Sequence, residues 1–289
     1  MGGSVVLFSD DWIEPGRRPY LEVELVGTPT ARAEGPFKPE PMLPAGDYWV
    51  EPMRKVHARW KGTRGTFGQY GDSITITMAF WTPMSFGTFK GISPEMQEAL
   101  DAARKYIHRP CWRQWKGPQW GNTGNMTIAW AFANIDAWQK KMNPEVAAIL
   151  FGTNDVSQGL SCPAYTEMYA VVIDRMLADG TIPIITTLPP HRAQKQSLNG
   201  LRSVLDHRQA AIAVARHKKV PLIDLYSEII KRQPKQWRTI LVPDGLHPSY
   251  PKEYRRNWTA DGLAHSGYDL RNYLTLKAWY EIYRKVLKR

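Results

Sequence analysis

The chain has 289 residues and a formal net charge of +11, with 43% hydrophobic and 22% charged residues. Such a composition is typical of a globular protein with one large core or two small ones. No apolar run reaches the roughly 18 residues of a membrane helix, and the first eight residues lack the basic start of a secretory signal. We therefore predict no transmembrane segment. The N-terminus does not indicate the location, and a secreted or periplasmic protein stays open if a leader has been removed.

The positive charge favours anionic partners in general, because it acts through long-range attraction. The basic residues are spread along the chain, however, without zinc-finger spacing or an RNA-binding aromatic motif. We predict no nucleic-acid partner. No His, Cys, Asp and Glu cluster has metal-ligand spacing, so we predict no metal site. The two cysteines, Cys111 and Cys162, exclude a disulfide framework and leave a single bridge open.

Residues 1–66 are rich in proline and glycine and show little helical periodicity. One short stretch, residues 20–26 (YLEVELV), alternates like a β-strand. The region has too few apolar residues for a core of its own. We predict an N-terminal extension, residues 1–66, that wraps on a main domain of residues 67–289.

From residue 67 onward, short apolar runs alternate with amphipathic stretches, a pattern typical of a parallel sheet with crossover helices. The predicted strands are residues 67–70, 145–151, 182–187 and 220–224. The predicted helices are residues 94–107, 128–140, 165–178, 201–217 and 270–287.

Residues 81–138 interrupt this alternation and contain half of the twelve tryptophans. We interpret most of these indoles as packing of an irregular insertion on the sheet. Trp112, Trp115 and Trp120 lie in an aromatic and basic loop, and flat aromatic faces can stack on sugar rings. These three tryptophans are our candidates for substrate contacts.

Three polar segments follow predicted elements of the main domain. GDS (71–73) follows the first strand, GTND (152–155) follows the strand at residues 145–151, and DGLH (244–247) comes after the last strand and the helix that follows it. Ligand sites in open α/β folds lie at the carboxyl edge of the sheet, where these segments would meet. A serine becomes a nucleophile when an imidazole takes its proton and a carboxylate orients that imidazole. The oxyanion that then forms needs preorganised donors. Ser73, Asn154 and the Asp-x-x-His turn could supply this acyl-transfer chemistry.

Four segments, GDSIT (71–75), NTGNMT (122–127), GTND (152–155) and DGLHP (244–248), resemble the four sequence blocks of the SGNH or GDSL-type hydrolases, in the family's order. The resemblance covers about residue 66 to the C-terminus. It implies an α/β fold, a three-layer α/β/α sandwich around a flavodoxin-like five-stranded parallel sheet, with no metal or cofactor.

The same resemblance implies roles for individual residues. Ser73 would be the nucleophile, with Asp244 and His247 as acid and base. The Ser73 N–H, Gly124 and Asn154 would form the oxyanion hole. The second block is irregular, and the segment before it lacks the family's apolar strand, so Gly121 is an alternative to Gly124.

A second phrase resembles the catalytic turn: Asp261-Gly-Leu-Ala-His265 follows Asp244-Gly-Leu-His247. It is one residue longer and leads directly toward the terminal helix. We predict that His247 is the base and that His265 is structural, with a contact to substrate at the rim of the site left open.

These features predict a serine esterase acting on a carboxylic ester of a small molecule or polysaccharide, most simply by removing O-acetyl groups from a carbohydrate. Within the family, thioesterase, aryl esterase and lipase activities stay open, although a lipase would show a larger apolar lid. A different class of function is a non-catalytic carbohydrate- or polyanion-binding protein on a hydrolase fold, which should carry at least one broken catalytic block.

Overall fold

The computed structural model describes residues 4–8, 20–24, 47–114 and 124–288. Near the N-terminus, β1 (Ser4–Phe8) and β2 (Tyr20–Glu24) pair as an antiparallel ribbon. The strand predicted at residues 20–26 is therefore present. The wrapping of the extension on the main domain stays a prediction.

A parallel sheet of four strands forms the centre of the fold. Its strands are β3 (Phe67–Gly71), β4 (Val146–Leu150), β5 (Ile182–Thr186) and β6 (Leu222–Ile223), in the spatial order β3-β4-β5-β6. All their residues are buried, as expected for a parallel sheet covered on both faces. Each strand overlaps a run that the apolar pattern predicts.

Long helices cover the sheet. On one side α6 (Cys162–Ala178) packs between α4 (Ile128–Met142) and α8 (Leu198–Lys218). The other layer contains α1 (Val50–His57), α3 (Pro94–Tyr106) and α11 (Gly267–Ile282), which ends in a π-helical turn, Tyr283–Leu287. The predicted three-layer α/β/α sandwich is confirmed.

Short helical segments connect these layers. The α-helical ones are α2 (Ser73–Ile76), α5 (Thr153–Ser157), α7 (Ala193–Gln196), α9 (Leu225–Arg232) and α10 (Ala260–His265). The 3₁₀ turns are Thr82–Ser85, Arg109–Trp112, Trp237–Ile240 and Lys252–Tyr254. No helix of the described ranges is long and apolar enough to cross a bilayer.

The sheet differs in one respect from the five strands that the family resemblance implies, since four parallel strands occur in the described part of the main domain. Residues 109–112, which precede the irregular second block, form a 3₁₀ turn with a proline near its start. A 3₁₀ turn does not present the extended backbone that pairs with a neighbouring strand, so this segment does not join the sheet as a strand. Instead, the Gln69 amide of β3 donates to the Cys111 carbonyl at 2.9 Å.

Local sequence explains where the long helices begin. A serine or threonine precedes each start, and its hydroxyl accepts a hydrogen bond from a backbone N–H of the first turn, which stabilises the helix end. The capping residues are Ser93, Thr127, Ser161, Ser197 and Ser266. Both cysteines are free thiols, with Cys111 buried and Cys162 half-buried.

Candidate active site

The first predicted site residue, Ser73, lies at the carboxyl end of β3 and begins helix α2. The preceding Asp72 is the helix cap, and its carboxylate accepts the Ile74 N–H at 3.0 Å. Asp72 is fully buried, which raises its pKa to about 7, although the hydrogen bond from Ile74 opposes this shift. The strand-to-helix junction therefore fixes the backbone on which the Ser73 hydroxyl is carried.

Residues 244–247 form a tight turn that presents a histidine to this serine. The Asp244 carboxylate accepts the N–H groups of Leu246 at 2.8 Å and His247 at 3.1 Å. Its other oxygen is 2.5 Å from His247 Nδ1, and His247 Nε2 is 2.8 Å from Ser73 Oγ. The structure thus brings together, in one hydrogen-bonded series, a carboxylate, an imidazole and a hydroxyl from residues 174 positions apart.

Protonation in this series follows from its contacts. Partial burial acts to raise the pKa of Asp244, but hydrogen bonds from the Leu246 N–H and from His247 outweigh it and hold the pKa below its usual value. An ionised Asp244 accepts a hydrogen bond from His247 Nδ1–H, which leaves Nε2 as the acceptor for the Ser73 hydroxyl. This arrangement can accept the serine proton during nucleophilic attack.

The residues predicted for the oxyanion hole lie beside Ser73. The Ser73 N–H donates to the Gly124 carbonyl at 2.9 Å, and the Asn154 amide donates to the same oxygen at 3.4 Å and to the Met126 carbonyl at 3.0 Å. Two of the three expected donors therefore converge on one point, and the Gly124 carbonyl occupies it. A substrate oxyanion would have to take the place of that carbonyl.

Gly124 has a backbone conformation that favours glycine. Its φ of 129° is in a region that only glycine adopts readily. A Cβ at this position would meet only Ser73 Cβ, at 3.7 Å, so the constraint is on the backbone rather than on space. The predicted role of the Gly124 N–H as a donor stays a prediction, and the alternative Gly121 lies outside the described residues.

A second serine–histidine pair, Ser157 and His191, lies outside this series. Ser157 Oγ is 3.0 Å from His191 Nε2, but His191 Nδ1 accepts the Ala193 N–H at 2.9 Å. Nε2 must therefore carry the hydrogen and donate to Ser157, so it cannot take the serine proton. Burial and the nearby Arg192 lower the pKa of His191 to about 4. His191 is buried, as expected for a packing role.

Beneath the nucleophile, sequence reasoning missed a buried arginine. Arg271 of α11 is fully buried and donates to the Ile74 carbonyl and to Thr75 Oγ1, both at 2.9 Å. Its guanidinium carbon lies 3.7 Å from the centre of the Phe80 ring. Burial lowers the pKa of Arg271 to about 10, which leaves it charged at neutral pH. A charged residue within an otherwise apolar face of the terminal helix was the available signal.

Of the three tryptophans proposed as substrate contacts, Trp112 lies within the described residues. Trp112 is 5% exposed and stacks on Trp81, with 5.2 Å between ring centres. It also lines a cavity of about 690 Å³ with Phe86 and the exposed Arg109 and Arg113. Trp115 and Trp120 lie outside the described residues. A substrate role for any of the three stays a prediction.

His265 occupies a different environment from His247. It is the last residue of α10, where its Nδ1 is 2.9 Å from the Asp261 carbonyl and its ring stacks on Tyr254. The α10 helix leads through the Ser266 cap into α11. These contacts agree with a structural role, and a rim contact to substrate stays a prediction. Within the described ranges, no group of three His, Cys, Asp or Glu side chains could hold a metal ion.

This chain is similar to known proteins in sequence motif and in fold. The model of the GDSL-like Lipase/Acylhydrolase family matches residues 70–251. Among solved structures, a lipase/acylhydrolase from Enterococcus faecalis is 17% identical, with 74% of this chain and 95% of that chain covered and a TM-score of 0.50. A candidate acylhydrolase from Bacteroides fragilis is 16% identical, with coverages of 82% and 99% and a TM-score of 0.52. No curated protein sequence matches this chain significantly.

Proposed function

The chain belongs to the GDSL-like lipase/acylhydrolase family, and on that premise we propose that it is a serine esterase with Ser73 as nucleophile, His247 as base and Asp244 as the carboxylate that orients the base. The observation that carries the proposal is the hydrogen-bonded series, with 2.8 Å from Ser73 Oγ to His247 Nε2 and 2.5 Å from His247 Nδ1 to Asp244. These are the two contacts through which an imidazole takes a serine proton and a carboxylate orients the imidazole.

In the first half-reaction, Ser73 Oγ attacks the ester carbonyl carbon while His247 Nε2 takes the hydroxyl proton. The ionised Asp244 stabilises the imidazolium, and the Ser73 N–H and Asn154 amide stabilise the oxyanion, with Gly124 as the third expected donor. When the carbon–oxygen bond breaks, His247 returns the proton to the leaving alcohol. Water, activated by the same imidazole, then releases the acid and restores Ser73.

We further propose that the acyl group is short and that the substrate is an O-acetylated carbohydrate. A lipase needs a broad apolar surface around its site, whereas the exposed large hydrophobic side chains of the described residues are Met78, Phe86 and Leu198. The tryptophan-rich segment and the basic charge support a polar polymeric substrate. Acetate release from a panel of acetylated polysaccharides, compared with hydrolysis of long-chain acyl esters, tests this choice.

The decisive experiment on the nucleophile is Ser73→Ala. We expect kcat for p-nitrophenyl acetate to fall by about 10⁴-fold or more, because without the hydroxyl no acyl-enzyme forms. Ser157→Ala is the matched control, since it removes the other serine within hydrogen-bond distance of a histidine ring. Full activity of Ser73→Ala, or an equal loss in both variants, would refute the assignment.

A further inference from the structure

Two exposed arginines pack against the turn that carries the proposed base. The Arg192 N–H donates to the Gly245 carbonyl at 2.8 Å. The point that a Gly245 Cβ would occupy is 2.9 Å from Arg192 Cβ and 3.1 Å from Arg238 Nη2. Both side chains are exposed to solvent. Gly245 lies two residues before His247, so both arginines contact the turn that carries the imidazole.

A third cation adds to this surface. Lys195 is exposed, and its ammonium lies 5.7 Å from the centre of the Trp237 ring, next to Arg238. We call Arg192, Lys195 and Arg238 the rim cations. Helix α7 and the 3₁₀ turn Trp237–Ile240 thus bring positive charge to the catalytic turn from two separate parts of the chain.

The positive charge of the rim cations is not neutralised by neighbouring acids. None of the three forms a salt bridge with another described residue. Asp244, the acid of the same turn, already accepts hydrogen bonds from the Leu246 and His247 N–H groups and from the imidazole Nδ1–H. Like charges held close together favour the binding of an anion between them.

The chemistry of the turn indicates which part of a substrate meets these cations. His247 must return its proton to the oxygen of the leaving alcohol, so that alcohol has to lie on the His247 side of Ser73. The oxyanion donors, Ser73 N–H and Asn154, lie toward Gly124 instead. Arg192 and Arg238 contact the turn that carries His247, so the leaving-group side is the side we assign to the rim cations.

We infer that the rim cations bind an anionic group on the alcohol part of the substrate, so that the preferred ester is an acetyl group on an acidic alcohol such as a uronic acid-containing glycan. This inference rests on the proposed esterase function and specifies its substrate class. Guanidinium groups suit the purpose because their planar donors pair with both oxygens of a carboxylate or sulfate.

The test compares two acetates with equal acyl groups, meta-acetoxybenzoate, whose leaving alcohol is anionic, and meta-acetoxybenzamide, whose leaving alcohol is neutral. Hydrolysis of either ester consumes one water and releases acetate and the corresponding phenol. We expect the wild-type enzyme to favour the benzoate by about tenfold or more in kcat/KM at low salt. The preference should shrink as added salt screens the charges, since the screening length falls from about 10 Å at 0.1 M to about 3 Å at 1 M.

The variant Arg192→Gln/Arg238→Gln should abolish the preference while kcat/KM for the benzamide stays within about twofold, so the neutral substrate also verifies that the variant is folded. The matched control is Lys105→Gln/Lys140→Gln, which removes two charges from the last turns of α3 and α4, near the opposite edge of the sheet. It should keep the preference.

Three results would overturn the inference: a wild-type enzyme without preference for the benzoate, an unchanged preference in the arginine variant, or an equal loss in the lysine control. Inactivity of the wild-type enzyme on both acetates and on p-nitrophenyl acetate would instead refute the esterase function, and the inference with it. Acetate release from O-acetylated polygalacturonate compared with O-acetylated xylan extends the test to polymers.

Discussion

His247 and His265 follow nearly the same Asp-Gly-Leu phrase, yet their contacts divide them. His247 lies 2.8 Å from Ser73 Oγ, whereas His265 stacks on Tyr254 and ends a helix. We predict that His247→Ala lowers kcat for p-nitrophenyl acetate by about 10²–10⁴-fold, because the general base is lost. His265→Ala should keep kcat within about threefold. Loss of turnover confined to His265→Ala would reverse the two roles.

Asn154 offers a second test at the reacting atoms. Its amide and the Ser73 N–H both point at the Gly124 carbonyl, the place that a substrate oxyanion would occupy. We predict that Asn154→Ala lowers kcat by about 10²–10³-fold with little change in KM, since the donor acts mainly on the transition state. Steady-state kinetics with p-nitrophenyl acetate measures both constants.

The control for this prediction is Gln158→Ala. Gln158 directly follows α5, the helix that contains Asn154, and its amide donates to the Asn125 carbonyl at 3.3 Å rather than to the Gly124 carbonyl. A similar fall in kcat for Gln158→Ala would mean that both amides only hold residues 124–126 in position, and that Asn154 is not an oxyanion donor.

Two buried carboxylates link the short helices of the site to the layers around them. Asp72 caps α2, and Asp155 of α5 accepts the N–H of Ile128, the first residue of α4, at 2.8 Å. Burial raises the pKa of Asp155 to about 6, although the hydrogen bond from Ile128 opposes the shift. Sequence patterns alone suggest a turn residue at both positions, because the distance to α4 is not visible in them.

The raised pKa of Asp155 makes the stability of the folded protein depend on pH. In the unfolded chain an aspartate has a pKa of about 3.9, so between about pH 4 and pH 6 the folded state holds a proton that the unfolded state has lost. The contribution of Asp155 to stability is therefore fully present below about pH 4 and is lost as the pH rises through 6.

We predict that Asp155→Asn removes this part of the pH dependence. Between about pH 4.5 and pH 7.5, the free energy of unfolding of the wild type should fall relative to that of the variant by on the order of 1–2 kcal/mol. Urea unfolding at several pH values measures it. Asp136→Asn, on the exposed surface of α4, is the control and should follow the wild type. Parallel curves for wild type and Asp155→Asn would contradict the prediction.

Glu145 joins distant parts of the chain at the amino edge of the sheet, opposite the site. Its buried carboxylate contacts His57 Nε2 at 2.9 Å, the Tyr106 hydroxyl at 3.0 Å and the Gly65 N–H at 2.7 Å. These partners belong to α1, α3 and the loop before β3. The carboxylate therefore holds one helical layer and the start of the first central strand to β4.

We predict that Glu145→Ala lowers the free energy of unfolding by about 2–3 kcal/mol, because three polar groups lose a charged partner. The kcat for p-nitrophenyl acetate should stay within about twofold, since the reacting atoms lie at the other edge of the sheet. Urea unfolding and steady-state kinetics measure the two effects. Glu51→Ala, whose side chain is 64% exposed, should change neither, and an unchanged unfolding midpoint for Glu145→Ala would contradict the prediction.

Several elements of the fold are visible in local sequence. The strand at residues 145–151 and the helix at residues 201–217 follow from apolar runs and helical spacing, and serine or threonine caps begin the long helices. The expected fifth strand is not visible in the same way, because a proline-containing 3₁₀ turn occupies residues 109–112. In the sequence, Trp112 lies in an aromatic and basic loop, a pattern that favours an exposed side chain. In the structure it is buried and stacks on Trp81.

The amino-acid sequence was sufficient to predict the α/β class, the order of its elements and the candidate residues Ser73, Asp244 and His247, because periodicity and short motifs are local properties. Only the tertiary structure distinguished Ser73–His247 from Ser157–His191, since the tautomer of His191 depends on a hydrogen bond from Ala193. It alone also brought Arg192 and Arg238 to Gly245, in the turn that carries His247. Contacts between residues far apart in the chain depend on the packing of whole layers, which no local pattern records.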